Sequence, residues 1–322
     1  MMAQLAGAAN KSGRQVAGAS LVLLLLSVAG PSASQDRSRN AVRLDPVTAI
    51  IEALKTHQVV AFGEMHGNTE IASVRLALLR DPRFPEAVQD IVVEFGTPKH
   101  QDVIDRYVNG SPVTDEELER VWTDTLFPTV GANPVYKQFY RAIRDVNAKL
   151  AAGRRIRVVL GEPTPLTMTA EAELIRREVI ARGHTALLVY GSGHFARKPP
   201  YYSISNPKFA ELIFNDPDYV STVAHLDAAG VSVFSIYSQA RDEFAAVQPD
   251  VASWRTPALT IVKGTRLGVE PFATFAPKDT ILTLPNADGN GTHQEPGVLD
   301  PGRSGLMQEQ YDAVLVLGPS SK

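Results

Sequence analysis

Gln58-Val59-Val60-Ala61-Phe62-Gly63-Glu64-Met65-His66-Gly67-Asn68-Thr69-Glu70 is the stretch whose reading decides the fold. Its first half is a short apolar run with two β-branched residues, ended by a glycine. Such a run reads as a strand buried on both faces. Its second half is polar, and Thr69 to Arg80 then places Ile71, Val74 and Leu78 on one helical face. A buried strand, a polar turn and an amphipathic helix make up the start of a βαβ unit.

The same grammar recurs outward from it. Asp45-Pro46 opens a helix to about His57, with Asp45 as N-cap and Pro46 at the first helical position. Asp90–Phe95 is a second strand, Arg157–Leu160 a third, and Ala186–Tyr190 a fourth. The helix after the third strand runs from about Thr169 to Arg182, with Gly183 able to cap it. Later strands are expected at Val231–Tyr237, Ala258–Val262 and Ala313–Leu317. Strands alternating with helices predict an α/β fold with a mostly parallel central sheet flanked by helices. Strands two and three are too far apart for a simple crossover, so about 97–153 reads as a helical insertion. Within it a helix covers roughly His100–Val108, Thr114 and Glu117 form a capping box, and a third helix follows Asn133-Pro134 to about Leu150. Residues 284–309 are rich in Gly, Pro and Asn and read as a long loop.

The N-terminus has a different composition. Residues 1–20 carry Lys11 and Arg14 and no acid; Leu21–Gly30 is apolar, and Pro31-Ser32-Ala33-Ser34 ends in small residues. This reads as a secretory signal peptide over 1–34, with an uncleaved anchor as the alternative. Ten apolar residues are short of the ~20 that a span needs. Cleavage after Ser34 leaves 288 residues, with 30 basic against 35 acidic side chains and a net charge of −5. The expected destination is the periplasm or the exterior. Residues 35–44 read as a polar leader, and 45–322 as a single α/β domain. The full chain has 322 residues, 44% of them hydrophobic and 21% charged, which excludes collagen-like, coiled-coil and wholly disordered classes. A net charge of −3 gives no footprint for a nucleic-acid partner, and no segment after the signal suggests a membrane partner. With no cysteine there are no disulfides, zinc–thiolate sites, iron–sulfur clusters or thiol nucleophiles.

Each of the four best strands ends in an acid or a histidine. These are Glu64 and His66 after the first, Glu94 after the second, Glu162 after the third and His194 after the fourth. In a parallel sheet all carboxyl ends share one edge, where ligands bind. If the strands are neighbours, these side chains converge. Two histidines with carboxylates can supply a general base, a general acid and a group to orient them. Imidazole and carboxylate equally suit a divalent metal, so His66, His194, Glu64 and Glu94 form an alternative metal-ligand set. A histidine with an open side can ligate haem iron. Gly191-Ser192-Gly193-His194 has the wrong spacing for a nucleophile elbow, and phosphate-binding glycine loops are absent. The remaining histidines are expected at the surface.

Gly63-Glu64-Met65-His66-Gly67, with the trailing acid Glu70, resembles the G-E-x-H-G motif of a superfamily. It comprises erythromycin-esterase-like enzymes, ChaN-like haem-binding proteins and Tiki proteases. Glu94 resembles its second motif, an acid at the end of strand two, and Gly191-Ser192-Gly193-His194 its later G-x-x-H motif. The resemblance spans roughly residues 45–200. It implies an α/β fold with a site lined by Glu64, His66, Glu94 and His194, with Glu70 matching an esterase-branch acid. Arg75 and Glu162 match that branch loosely. The single residue Met65 between the Gly-Glu and His-Gly pairs leans toward the ChaN-like side, for which Tyr190 and Tyr107 are axial partners by residue type alone. The branches differ in activity: lactone hydrolysis, haem binding and metal-dependent proteolysis. Two functions follow as expectations. One is an exported hydrolase with catalytic His66, Glu64, Glu94, His194 and Glu70, acting on a small-molecule substrate. The alternative is a protein binding haem or a divalent metal; a third reading is a member whose site is only structural.

Overall fold

The structure is a computed structural model that describes residues 39–126, 128–164, 166–198, 202–204, 220–275, 280–285, 292–299 and 302–319. The expected signal peptide over 1–34 lies outside the described residues. Seven strands form the main sheet: β1 (Val59–Glu64), β2 (Asp90–Val93), β3 (Arg157–Leu160), β4 (Ala186–Gly191), β6 (Val233–Ala240), β7 (Ala258–Ile261) and β10 (Ala313–Leu317). Their order is β3-β2-β4-β1-β6-β10-β7. Every neighbouring pair is parallel except β10 with β7, as the sequence predicts for a mostly parallel α/β sheet.

β1 and β4 are buried at every position, which explains their unbroken apolar runs. Alternate side chains serve two cores. Val60, Phe62, Ile91 and Val93 face helices Pro46–Thr56 and Thr69–Arg80 together with the insertion. Val59, Ala61, Val92 and Leu188 face helices Met168–Glu178 and Thr222–Ala228. Asp45 caps its helix through Thr48 N at 2.8 Å, and the Thr114–Glu117 capping box forms as read.

The insertion between β2 and β3 carries helices Gln101–Val108, Asp115–Thr123, Pro128–Gly131 and Pro134–Asn147. Its Trp122, Tyr136, Phe139 and Tyr140 are fully buried, so it completes one core as well as reaching the site.

Two local expectations change. Residues 39–44, within the expected leader, are paired: Leu44 and Leu259 exchange backbone hydrogen bonds, and Ala41 binds the Gln248 side chain through both its N–H and its carbonyl. The expected loop 284–309 contains β9 (Thr292–Leu299), the centre of a three-stranded antiparallel sheet ordered β5-β9-β8, with β5 at Tyr202–Ile204 and β8 at Thr280–Pro285. Its Pro and Gly content hid it, and pairing on both sides outweighs that weak local preference. Among the described residues no helix is long and apolar enough to cross a membrane.

Candidate active site

The carboxyl ends of β3, β2, β4 and β1 are consecutive in the sheet, so the acids and histidines that follow them meet at one edge. Glu64 is the last residue of β1 and is 4% exposed. One of its oxygens is paired with the guanidinium of Arg75, which lies buried on the next helix beneath the rings of Phe95, Tyr136 and Phe139. The other accepts from the Tyr136 hydroxyl and lies 3.2 Å from His66 Nδ1. A carboxylate facing Nδ1 makes that nitrogen the donor and leaves the lone pair of the neutral ring on Nε2. The same hydrogen bond raises the His66 pKa above its ordinary 6.5; burial opposes this, and the Glu94 charge reinforces it. His66 keeps 40% of its side chain exposed, so Nε2 remains reachable.

His66 Nε2 lies 3.9 Å from Glu94 Oε2, beyond a direct hydrogen bond. That oxygen also accepts from Gly191 N at 2.7 Å, while Glu94 Oε1 lies 3.2 Å from His194 Nε2. His194 Nδ1 in turn faces Glu171 Oε2 at 2.9 Å, and the Thr222 hydroxyl donates to the same oxygen. Burial opposes charge on both partners of the Glu94–His194 pair, yet their mutual attraction wins. His194 is pushed up to about 10 and Glu94 held down at about 2. At neutral pH Glu94 is therefore a carboxylate and His194 an imidazolium. His194 stands behind Glu94, with both ring nitrogens engaged.

His66, Glu94, Phe95, Val130, Gly131 and Glu162 line a cavity of about 220 Å³. Glu162 N donates to Gly96 O at 3.0 Å, and its carboxylate accepts from Leu126 N of the insertion. Of the residues singled out in the sequence, His66, Glu64, Glu94, His194 and Glu162 thus come together. Glu70 does not join them: its carboxylate accepts from Gly318 N at 2.7 Å, tying the helix after β1 to the end of β10. Ser192 Oγ faces the Glu64 carbonyl at 3.4 Å. Tyr190 is fully buried and donates to Gly161 O, and Tyr107 packs under Arg144, so neither is placed as an axial ligand. His184 and His100 are not free surface residues, since each pairs with an aspartate.

Three members escaped sequence reading. Tyr136 is 72 residues from Glu64 in the chain and looks like any aromatic on an amphipathic core helix. Thr222 carries no signal. Glu171 carries one: it is an acid on the face that Ala172, Leu174 and Ile175 bury, and a buried acid needs a partner.

Gly191 packs against this site. A Cβ there would lie 3.1 Å from His66 Nε2 and 3.6 Å from Glu94 Oε2. Gly191→Ala is expected to keep its melting temperature, because the half-exposed imidazole can give way, and to lose turnover because that ring is the group displaced. Unchanged turnover would show that the His66 position is not critical.

Residues 50–157 match the family model described as haem-binding uptake, Tiki superfamily, ChaN. The resemblance read from the motifs holds over that stretch, which carries Glu64, His66 and Glu94. No curated protein sequence matches the chain. Among solved structures, a succinoglycan biosynthesis protein superposes with a TM-score of 0.54 at 10% identity, covering 87% of this chain and 94% of that one. A Bacillus cereus protein gives 0.52 at 10% identity, covering 87% and 95%. An erythromycin esterase variant in its open conformation gives 0.51 at 10% identity, covering 85% and 94%. At this identity the likeness establishes the α/β fold.

Proposed function

We propose that the protein is an exported hydrolase of small carbonyl substrates, with His66 as general base. The observation that carries this reading is the Glu64–His66 pair opening onto a cavity whose opposite polar wall is Glu94. A water molecule bonded to both His66 Nε2 and Glu94 Oε2 fits their 3.9 Å separation. Nε2 takes a proton from that water, and its oxygen bonds to the carbonyl carbon. The bond from carbon to the leaving oxygen then breaks, and the proton passes from His66 to the leaving alcohol. Glu64 orients the ring and, with Glu94, stabilises the imidazolium that forms. His194 and Glu171 hold Glu94 ionised and in place.

A cavity of about 220 Å³ lies below the ~300–1,000 Å³ of typical small-molecule sites and does not enclose a porphyrin. Among the described residues no group of three or more His, Asp or Glu side chains is arranged to hold a metal. In the arrangement observed both His194 nitrogens face carboxylates, which leaves His66 and Glu94 as the facing donors. The donors in this arrangement do not make up a metal site, while for haem His66 Nε2 is the open nitrogen, beside a cavity too small to enclose the porphyrin. The haem reading rests on the family-model match and on the open His66 Nε2.

Hydrolysis of p-nitrophenyl esters as a function of pH tests the proposal. Only neutral His66 can act as base, so the rate is expected to rise through an ionisation above 6.5, in keeping with its raised value. A rate flat across that range, or a saturable Soret shift with haemin and no turnover, would overturn it.

A further inference from the structure

Four acids surround the site, Glu64, Glu162 and Glu171 buried and Glu94 partly so, and three have cations. Glu64 has Arg75, while Glu94 and Glu171 share His194. Glu162 is the exception. It is 6% exposed, and among the described residues no Lys, Arg or His lies within ion-pair distance of it. Its Oε1 accepts from Leu126 N, and its Oε2 takes no hydrogen bond among the described residues. A carboxylate out of bulk water without a counter-charge is costly. That cost shows in its raised pKa, to which burial contributes most and the Glu94 and Glu171 charges add. Glu162 borders the cavity, whose other lining among the described residues is His66, Glu94, Phe95, Val130 and Gly131.

We propose that Glu162 is the specificity residue of this cavity, taking the cationic nitrogen of a small organic ammonium ligand whose carbon atoms pack on Phe95 and Val130. A cation supplies the charge that the fold withholds from Glu162, and the apolar residues Phe95 and Val130 in the lining suit an alkylated ammonium better than a hydrated metal ion. The cavity volume matches a headgroup-sized ligand rather than a large one. The negative field of Glu94 and Glu162 turns away carboxylate-bearing ligands. This inference rests on the cavity being the ligand site of the proposed function, but its test needs no turnover.

The test is calorimetric titration of the full chain with choline, with dimethylbutanol as its neutral carbon isostere, and with acetate. Choline is expected to bind at least about tenfold tighter than the isostere, and acetate not to bind. Glu162→Gln and Glu162→Asp, both checked for folding by circular dichroism, are expected to differ. The amide removes the preference for choline, and the shorter acid retains part of it. Equal binding of choline and its isostere to the unmodified protein overturns the inference, as does no binding of either, or a preference that survives Glu162→Gln. The wild-type comparison decides the matter even if a variant fails to fold. Choline selectivity without ester turnover would sink the hydrolase reading alone. Turnover without that selectivity would sink only the role of Glu162.

Discussion

Exchanging His66 for asparagine is expected to lower ester turnover by about 10²–10⁴-fold, the usual contribution of a positioned general base. Asparagine can still donate to Glu64, so the Glu64–Arg75–Tyr136 assembly stays satisfied. With 40% of the His66 side chain exposed, little packing is lost and the melting temperature should change little. The loss is expected in kcat more than in KM, because His66 acts on the water rather than on the substrate's binding groups. A variant that keeps full activity and is folded would remove His66 from the mechanism. The paired measurements, turnover and thermal unfolding, separate a chemical role from a structural one.

The second large effect concerns stability. His194 is a cation between Glu94 and Glu171, with 15% of its side chain exposed. Leucine at this position leaves two buried carboxylates facing an apolar group. Removing one partner of a buried ion pair costs about 3–5 kcal/mol, so His194→Leu should unfold at markedly lower urea concentration. The pH dependence has a defined sign. A histidine raised from 6.5 to about 10 contributes stability that is complete below 6.5 and lost as pH climbs through about 10. A carboxylate lowered from 4.5 to about 2 contributes above 4.5 and loses its contribution as pH falls toward about 2. The pair therefore stabilises the protein fully between 4.5 and 6.5. Unfolding free energy should decline on both sides, and His194→Leu should flatten the alkaline decline. An alkaline limb that persists unchanged in the variant would mean that other groups produce it.

The proposals divide the site by role. His66 and Glu64 carry the proton, and Glu94 holds the water. His194, Glu171 and Thr222 fix Glu94, while Glu162 chooses the ligand. Most of this set lies within the first 200 residues, at or just beyond the carboxyl ends of β1 to β4, with Glu171 and Thr222 on flanking helices. Export remains a proposal carried by the composition of residues 1–34.

The sequence by itself determined the strands β1 to β4, because their apolar runs are short, continuous and ended by glycine, and a strand buried on both faces allows few other patterns. It also determined that an acid or histidine follows each of them, and hence that Glu64, His66, Glu94, Glu162 and His194 share an edge if the strands are neighbours. Neighbourhood itself was decided only by tertiary structure. β4 inserts between β2 and β1, a long-range choice made by packing on both faces and invisible to local periodicity. The same holds for Tyr136, which folds back onto Glu64 from a helix that reads as plain core. Glu70 shows the converse: its motif position is right, but the helix turns its carboxylate toward Gly318. The charge states, too, needed three dimensions. Whether a histidine is a base or a fixed cation depends on how closely carboxylates enclose it: His66 has one at 3.2 Å and one at 3.9 Å and keeps an open side, while His194 is held by two at 2.9 and 3.2 Å.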